Sequence, residues 1–317
     1  MTGGESRDGV ALTNLDEPLF DAAEATKRDL LDYLDAVSGQ IIGVLADRPL
    51  SVVRVLRGRP PFMQKNVPKY TPPWVRTVEV WAEASKREVS YALCNDRPTL
   101  LWLANQRAVE YHPTLVRAGR WNQPTHLVLD LDPPDDGDGF ASAVGAAHLV
   151  RQALADAGLV GTAKTSGAKG VHVYVPVTEA ATGEEVAAAT RAIAARAERL
   201  DPALATTAYL REDREGKVFL DSTRSGGATV VAAYSPRIRP GAPVSFPVAW
   251  EELDQVAPAE FTLRSAARLI ADGDPWADRM PEPQQLSPEL IEEGRAIPVA
   301  RVQAMHEGKR RARARGD

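Results

Sequence analysis

Residues 126–132, His126-Leu-Val-Leu-Asp130-Leu-Asp132, run apolar up to two carboxylates spaced two apart and stop at Pro133-Pro134. An apolar run of this length bounded by turn residues reads as a buried strand. Side chains on a strand alternate faces, so Asp130 and Asp132 share one side of it. Two carboxylates rising together from an apolar strand repel each other and are costly to desolvate unless a cation lies between them. Hard oxygen donors at this spacing suit Mg²⁺ or Mn²⁺ and suggest a two-metal site for phosphoryl transfer. The plainer alternative is that both aspartates only cap the turn before Pro133-Pro134. Asp135, Asp136 and Asp138 follow in a polar loop and are expected to be solvated.

A second apolar run, Val218-Phe-Leu-Asp221, ends in a carboxylate that could complete a ligand set for a pair of divalent ions. Between the two lies Lys164-Thr-Ser166-Gly-Ala-Lys169-Gly170-Val-His172, a turn rich in glycine that leads into another strand. The backbone N–H groups of such a turn, with Ser166, Lys169 and His172 beside them, make a cradle for a triphosphate. It is not a P-loop, because the Gly-Lys-Ser/Thr order is absent and a strand follows it instead of a helix.

The rest of the pattern sets the frame. Thr26 to Leu45 has apolar residues at helical spacing with Thr26 as N-cap, and strands are expected over 50–56 and 78–93, then a helix over 98–110. Beyond residue 126, helices at 140–157 and 184–200 alternate with strands at 160–164, 170–177, 217–221 and 229–234. This alternation implies an α+β sheet with helices on one face. A single cysteine, Cys94, excludes a disulfide framework or a cysteine metal cluster and reads as inert core packing. No apolar stretch reaches the ~20 residues of a membrane span, and the polar start lacks a signal peptide's regions, so a cytoplasmic location is expected. The net charge of −5 hides an uneven layout. Residues 48–87 carry nine Lys or Arg, among them Arg54 and Lys65, against Glu79 and Glu83, and interleave Phe62-Met63 and Trp74. Such a face can hold phosphates and stack bases. A second basic run, Lys309 to Arg315, reads as a tail.

In order along the chain, Ala11-Leu-Thr-Asn14, Pro72-Pro-Trp74, Leu127 to Pro133, Thr165 to Pro176, Lys217 to Asp221, and Ala233-Tyr-Ser235 with Arg237 resemble the polymerase domains of bacterial DNA ligase D and their stand-alone relatives in the archaeo-eukaryotic primase superfamily. The resemblance runs to about residue 274. It implies a primase-like catalytic core (about 121–280) with an N-terminal α/β, DNA-binding part (about 1–120) packed against it, followed by a proline-rich, then basic, tail over 281–317. By this resemblance Asp130, Asp132 and Asp221 are the catalytic residues and hold two ions, Mn²⁺ or Mg²⁺. Ser166, Lys169, His172, Arg224, Arg237 and His112 bind the incoming nucleotide. Asn14, Lys27, Arg54, Phe62, Met63 and Lys65 bind DNA. The implied activity is nucleotidyl transfer: a DNA-directed DNA/RNA polymerase that adds nucleotides, with a taste for ribonucleotides, at DNA gaps or ends in end joining or excision repair.

Two positions depart from the family pattern. Met63 stands in a pair that is aromatic at both places in relatives. Glu17 stands where one of two lysines would meet a downstream 5′-phosphate beside Asn14 and Lys27, and an acid facing a phosphate is repulsive. Either another cation (Arg28, Arg54 or Lys65) substitutes or the 5′-phosphate matters less. No adenylation motif Lys-x-Asp-Gly is present, so sealing would need a separate DNA ligase, with a Ku-like protein a further expected partner of a nucleoid-associated monomer. Two rival readings are a phosphohydrolase of the haloacid dehalogenase type, whose first strand also ends in Asp-x-Asp, and a catalytically silent DNA-end-binding module.

Overall fold

The computed structural model describes residues 5–82, 86–135, 138–226, 228–271 and 273–299. Lys309 to Arg315, Asp136 and Glu83 lie outside the described residues.

A short hairpin, β1 (Ser6–Arg7) and β2 (Val10–Ala11), leads to helices α1 (Lys27–Ala36) and α2 (Ser38–Leu45). The Thr26 hydroxyl accepts from the Asp29 N–H while the Asp29 carboxylate accepts from the Thr26 N–H, a reciprocal cap that fixes where α1 begins. The expected single helix over 26–45 is broken at Val37 (φ −100°, ψ 13°), yet Leu30, Leu31, Leu34, Ile41 and Leu45 all reach the core. The strands β3 (Leu50–Arg54), β4 (Phe62–Gln64), β5 (Thr77–Ala82) and β6 (Arg87–Ala92) follow, then α3 (Arg97–Asn105) and β7 (Ala108–Pro113). They form a sheet of order β4-β3-β6-β5, with β7 paired to β3.

The helix expected over 98–110 ends five residues early. Arg107 takes a left-handed φ of +62°, turns the chain, and donates to the carbonyls of Val55, Pro18 and Leu19. Residues 108–113 therefore form a strand, and His112 sits on it and not at a helix end.

The second half contains β8 (His126–Asp132), α4 (Gly139–Asp156), β9 (Thr162–Thr165), β10 (Val171–Pro176), α5 (Gly183–Leu200), β11 (Ala205–Thr206), β12 (Val218–Asp221) and β13 (Pro247–Val248), then α6 (Ala266–Leu269), α7 (Pro275–Arg279) and α8 (Pro288–Ala296). Its six strands run β11-β12-β8-β10-β9-β13, antiparallel except for the β11–β12 pair. The α+β class holds. The strand expected over 229–234 is a buried loop: Val230 and Ala232 donate to carbonyls of β7, but Tyr234, at φ +67°, breaks the run. Tyr33 donates to the Tyr234 carbonyl, and the Ser235 hydroxyl accepts from the Tyr111 N–H. Both halves thus close over one continuous core, and Cys94 is buried in it, its thiol pushed up by burial.

The segment expected to be a tail from residue 281 begins as part of the fold. The Gln284 side chain bonds both the N–H and the carbonyl of Val160, and α8 lies so close on α5 that a Cβ on Gly294 would come within 1.8 Å of the Ala188 carbonyl oxygen. Gly294→Val is therefore expected to cost about 1–3 kcal/mol through overpacking. Thermal denaturation checks this, and an unchanged melting temperature would contradict the docking. Among the described residues no helix is long and apolar enough to cross a membrane.

Candidate active site

Strand register builds the site. Asp130 on β8 faces Asp221 on β12 and His172 on β10, and His172 in turn faces Lys164 on β9. Directly paired residues share a face, so one rung across four strands carries Asp221, Asp130, His172 and Lys164, with Asp132 two residues along β8 on the same side. The turn between β9 and β10 is held by the Ser166 hydroxyl, which accepts from the N–H groups of Ala168 and Gly170 and keeps its own proton for a ligand. Only glycine fits at two of its positions. A Cβ on Gly170 would lie 2.5 Å from the Leu131 carbonyl oxygen, and Gly167, at φ +69°, has the Arg237 side chain 2.6 Å from where a Cβ would be.

The charges are packed tightly. His172 Nε2 is 3.1 Å from Asp130 Oδ1, and Lys164 Nζ, fully buried, is 2.8 Å from His172 Nδ1 and donates to the Ser245 hydroxyl at 2.6 Å. Lys164 donating at Nδ1 leaves the Nε2 proton of a neutral ring to point at Asp130. Arg224 bridges two carboxylates, with Nη2 2.9 Å from Asp130 Oδ2 and Nε 3.1 Å from Asp221 Oδ2. Burial by itself would raise the Asp130 carboxyl, but His172, Arg224 and Lys164 outweigh it and hold it well below the usual range. Asp132 goes the other way: burial and the like charge of Asp130 push it up to about 6. Burial and Lys164 hold the His172 imidazole down to about 4.

Asp130, Asp132, His172, Ser166 and Arg224 wall a cleft of about 900 Å³, together with His112, Lys169, Arg237 and Arg239. Arg237 Nη1 donates to the Ser166 carbonyl. Lys169 Nζ is held by the Pro134 carbonyl at 2.9 Å and by Asp135 at 2.5 Å, and the Asp135 side chain is exposed as expected. Among the described residues no three His, Cys, Asp or Glu side chains already converge as a metal site. The donor set nevertheless fits hard divalent ions. It offers carboxylate oxygens only, and burial with the like charges of Asp130 and Asp221 raises Asp132 despite Arg224.

The expected DNA contacts divide. Phe62 and Met63 on β4 are 39% and 47% exposed, and Lys65 and Asn14 are also exposed. Arg54 is buried, donating to the Gln106 carbonyl and the Gln64 side chain. Lys27 is buried too, with Nζ on the Thr13 carbonyl and on Asn105 Oδ1, and burial and Arg107 lower it to about 8. The cation beside Glu17 is Arg107, at 3.3 Å, and none of Arg28, Arg54 or Lys65 is paired with it. Sequence reasoning missed Lys164, Glu110, Arg107 and Arg239. Lys164 had a usable signal, since it alternates with Ser166 on the strand that enters the turn.

The family model of the LigD primase-polymerase domain matches residues 26–276. The chain belongs to that family. As a LigD primase-polymerase domain it is a nucleotidyltransferase, and neither the phosphohydrolase reading nor the silent end-binding module finds support. The multifunctional non-homologous end joining DNA repair protein LigD of Mycobacterium tuberculosis is 34% identical over 299 residues, covering 88% of this chain and 39% of that protein. The bifunctional non-homologous end joining protein LigD of Bacillus subtilis is 34% identical over 286 residues, covering 88% of this chain and 46% of that protein. The chain thus spans less than half the length of these relatives. The solved polymerase domain of M. tuberculosis ligase D in complex with DNA superposes with a TM-score of 0.77 at 34% identity, covering 87% of this chain and 98% of that one.

Proposed function

We propose that this LigD primase-polymerase domain adds nucleotides to DNA 3′ ends at gaps or breaks, and that the cross-strand row Asp221–Asp130–His172 with Asp132 beside it is its catalytic centre. The observation that carries this reading is that Asp130, Asp132 and His172, the Ser166 turn and Arg237 line a single cleft, with Asp221 paired directly to Asp130. Two divalent ions, Mn²⁺ or Mg²⁺, held by Asp130, Asp132 and Asp221, would supply the positive charge that lowers the pKa of the primer 3′-OH and stabilises the leaving pyrophosphate. Ser166, the backbone amides of its turn, Arg237 and Arg224 hold the triphosphate and neutralise its charge. Lys169 joins them by leaving Asp135. The Nε2–H of His172 orients Asp130, and His112 lines the same cleft. Phe62, Met63, Lys65 and Asn14 present the exposed face that meets DNA, while Arg54 and Lys27 shape that face from beneath. A monomer working in the nucleoid with a Ku-like protein and a separate ligase, in end joining or excision-repair gap filling, completes the reading. Ribonucleotides are expected to be incorporated at least as well as deoxynucleotides. Single-nucleotide addition with each sugar in turn checks this, and a strong deoxynucleotide preference would refute it.

Glu17 supplies a second test. Each charge-assisted contact to a phosphate is worth roughly 1.5–3 kcal/mol, and here the cation nearest Glu17 is neutralised by it while Lys27 is engaged on Thr13 and Asn105. A 5′-phosphate at the downstream edge of a gap should therefore tighten binding less than about tenfold, and Glu17→Lys should increase that preference. The measurement is DNA affinity at fixed salt, since phosphate contacts are salt-sensitive. Hundredfold discrimination by the wild type would mean that another cation completes the pocket.

A further inference from the structure

Glu110 sits behind the cleft wall, not on it. It belongs to β7, in the N-terminal sheet, yet its carboxylate reaches two side chains of the nucleotide pocket and the backbone beside one of them at once. Oε2 lies 2.9 Å from His112 Nε2. Oε1 accepts from the Ile238 N–H at 2.9 Å and stands 3.1 Å from Arg237 Nε. That last contact is an ion pair too oblique to be a hydrogen bond, since Arg237 Nε is buried and has no hydrogen-bond partner. Arg237 also donates to the Ser166 carbonyl, so a continuous path runs from β7 through Glu110 and Arg237 to the turn that cradles the triphosphate.

A buried carboxylate is costly unless its lone pairs are used and its charge is matched. Here both needs are met by groups that line the cleft, His112 and Arg237, and by the backbone that carries Arg237. Burial would raise Glu110, but His112, Arg237 and the Ile238 N–H hold it down to about 2, so it stays charged across the working range. A carboxylate at Nε2 also decides the tautomer of a neutral His112: the proton sits at Nε2 and Nδ1 is left as the acceptor.

We propose that Glu110 is a positioning residue for the nucleotide pocket, one carboxylate that sets the ring of His112 and the direction of Arg237 together and ties the N-terminal sheet to the triphosphate wall. The proposal rests on the reading of this cleft as the nucleotide site.

The test is Glu110→Gln, which keeps size and can still accept from Ile238, read by equilibrium binding of a ribonucleoside triphosphate and by single-nucleotide addition on gapped DNA. The loss of one charge-assisted contact predicts that triphosphate affinity weakens and KM rises by about tenfold or more. DNA affinity and melting temperature should stay near wild type, and kcat should fall much less than KM rises. The ¹⁵N shifts of His112 should move. Combined with Arg237→Lys, the double variant should lose less than the product of the single losses, because the two residues act through one contact. If Glu110→Gln destabilises the fold, Glu110→Asp, which keeps the charge, should recover part of the triphosphate affinity. A KM within twofold of wild type, no recovery by Glu110→Asp, or parallel losses of DNA affinity and kcat would overturn the proposal. Because triphosphate binding is read without chemistry, a wild type that binds the triphosphate but extends no primer would sink the polymerase reading and leave Glu110 tested. A wild type that binds no triphosphate overturns both.

Discussion

Asp130→Ala and Asp132→Ala are each expected to abolish nucleotide addition, a loss of at least about 10³ in rate, while affinity for gapped DNA is kept. Asp130 is buried at the centre of the rung and already holds His172 and Arg224, so its removal takes away an ion ligand and leaves Lys164, His172 and Arg224 without their common counter-charge. Asp132 makes neither contact. Its substitution removes a ligand while relieving the repulsion that pushes it up to about 6, so Asp132→Ala should be the more stable of the two. DNA affinity should survive in both, because Phe62, Met63 and Lys65, proposed to meet DNA, lie exposed on and beside β4, in the other sheet. Primer extension and fluorescence anisotropy on the same preparations check the pair. Substantial extension by either variant contradicts the metal assignment.

Arg224→Ala is expected to lower nucleotide addition by about 10²–10³, the range seen when a donor to developing negative charge is deleted. Its second effect is more diagnostic. Arg224 stands between Asp130 and Asp221 as the resident positive charge, and with it gone three carboxylates face one another. The variant should melt lower than wild type without divalent ions, and Mn²⁺ or Mg²⁺ should raise its melting temperature by more than they raise that of wild type, because the ions no longer compete with the guanidinium. Equal responses to the ions would mean that Arg224 does not share the carboxylate site.

The catalytic half was the more legible part of the sequence, for a physical reason. Its strands are buried, so their apolar runs are unmistakable, and the carboxylates break those runs at strand ends; β8 is found over 126–132 as read. Face-sharing of Asp130 and Asp132 follows from the period of two, whereas the pairing with Asp221, His172 and Lys164 depends on register between strands distant in sequence, which no local pattern carries. The errors, two in the N-terminal half and one in the catalytic half, share a cause. Arg107, Val37 and Tyr234 end or break elements through backbone conformations that their side chains do not announce, since none is glycine or proline. Basic composition misled for a similar reason: Arg48 and Arg54 look like part of a surface for phosphates but donate to carbonyls and side chains inside the fold. Charge along a sequence does not say which cations are already engaged.

The central claim is that this cleft performs templated nucleotidyl transfer with divalent ions. It is tested most directly by single-nucleotide addition on DNA with a one-nucleotide gap, offering each of the four ribonucleoside triphosphates in turn, with Mn²⁺ or Mg²⁺ and with a chelator. The account predicts addition of the nucleotide complementary to the templating base, and none when the chelator is present. Failure to extend with any triphosphate, or extension undiminished by the chelator, would contradict it.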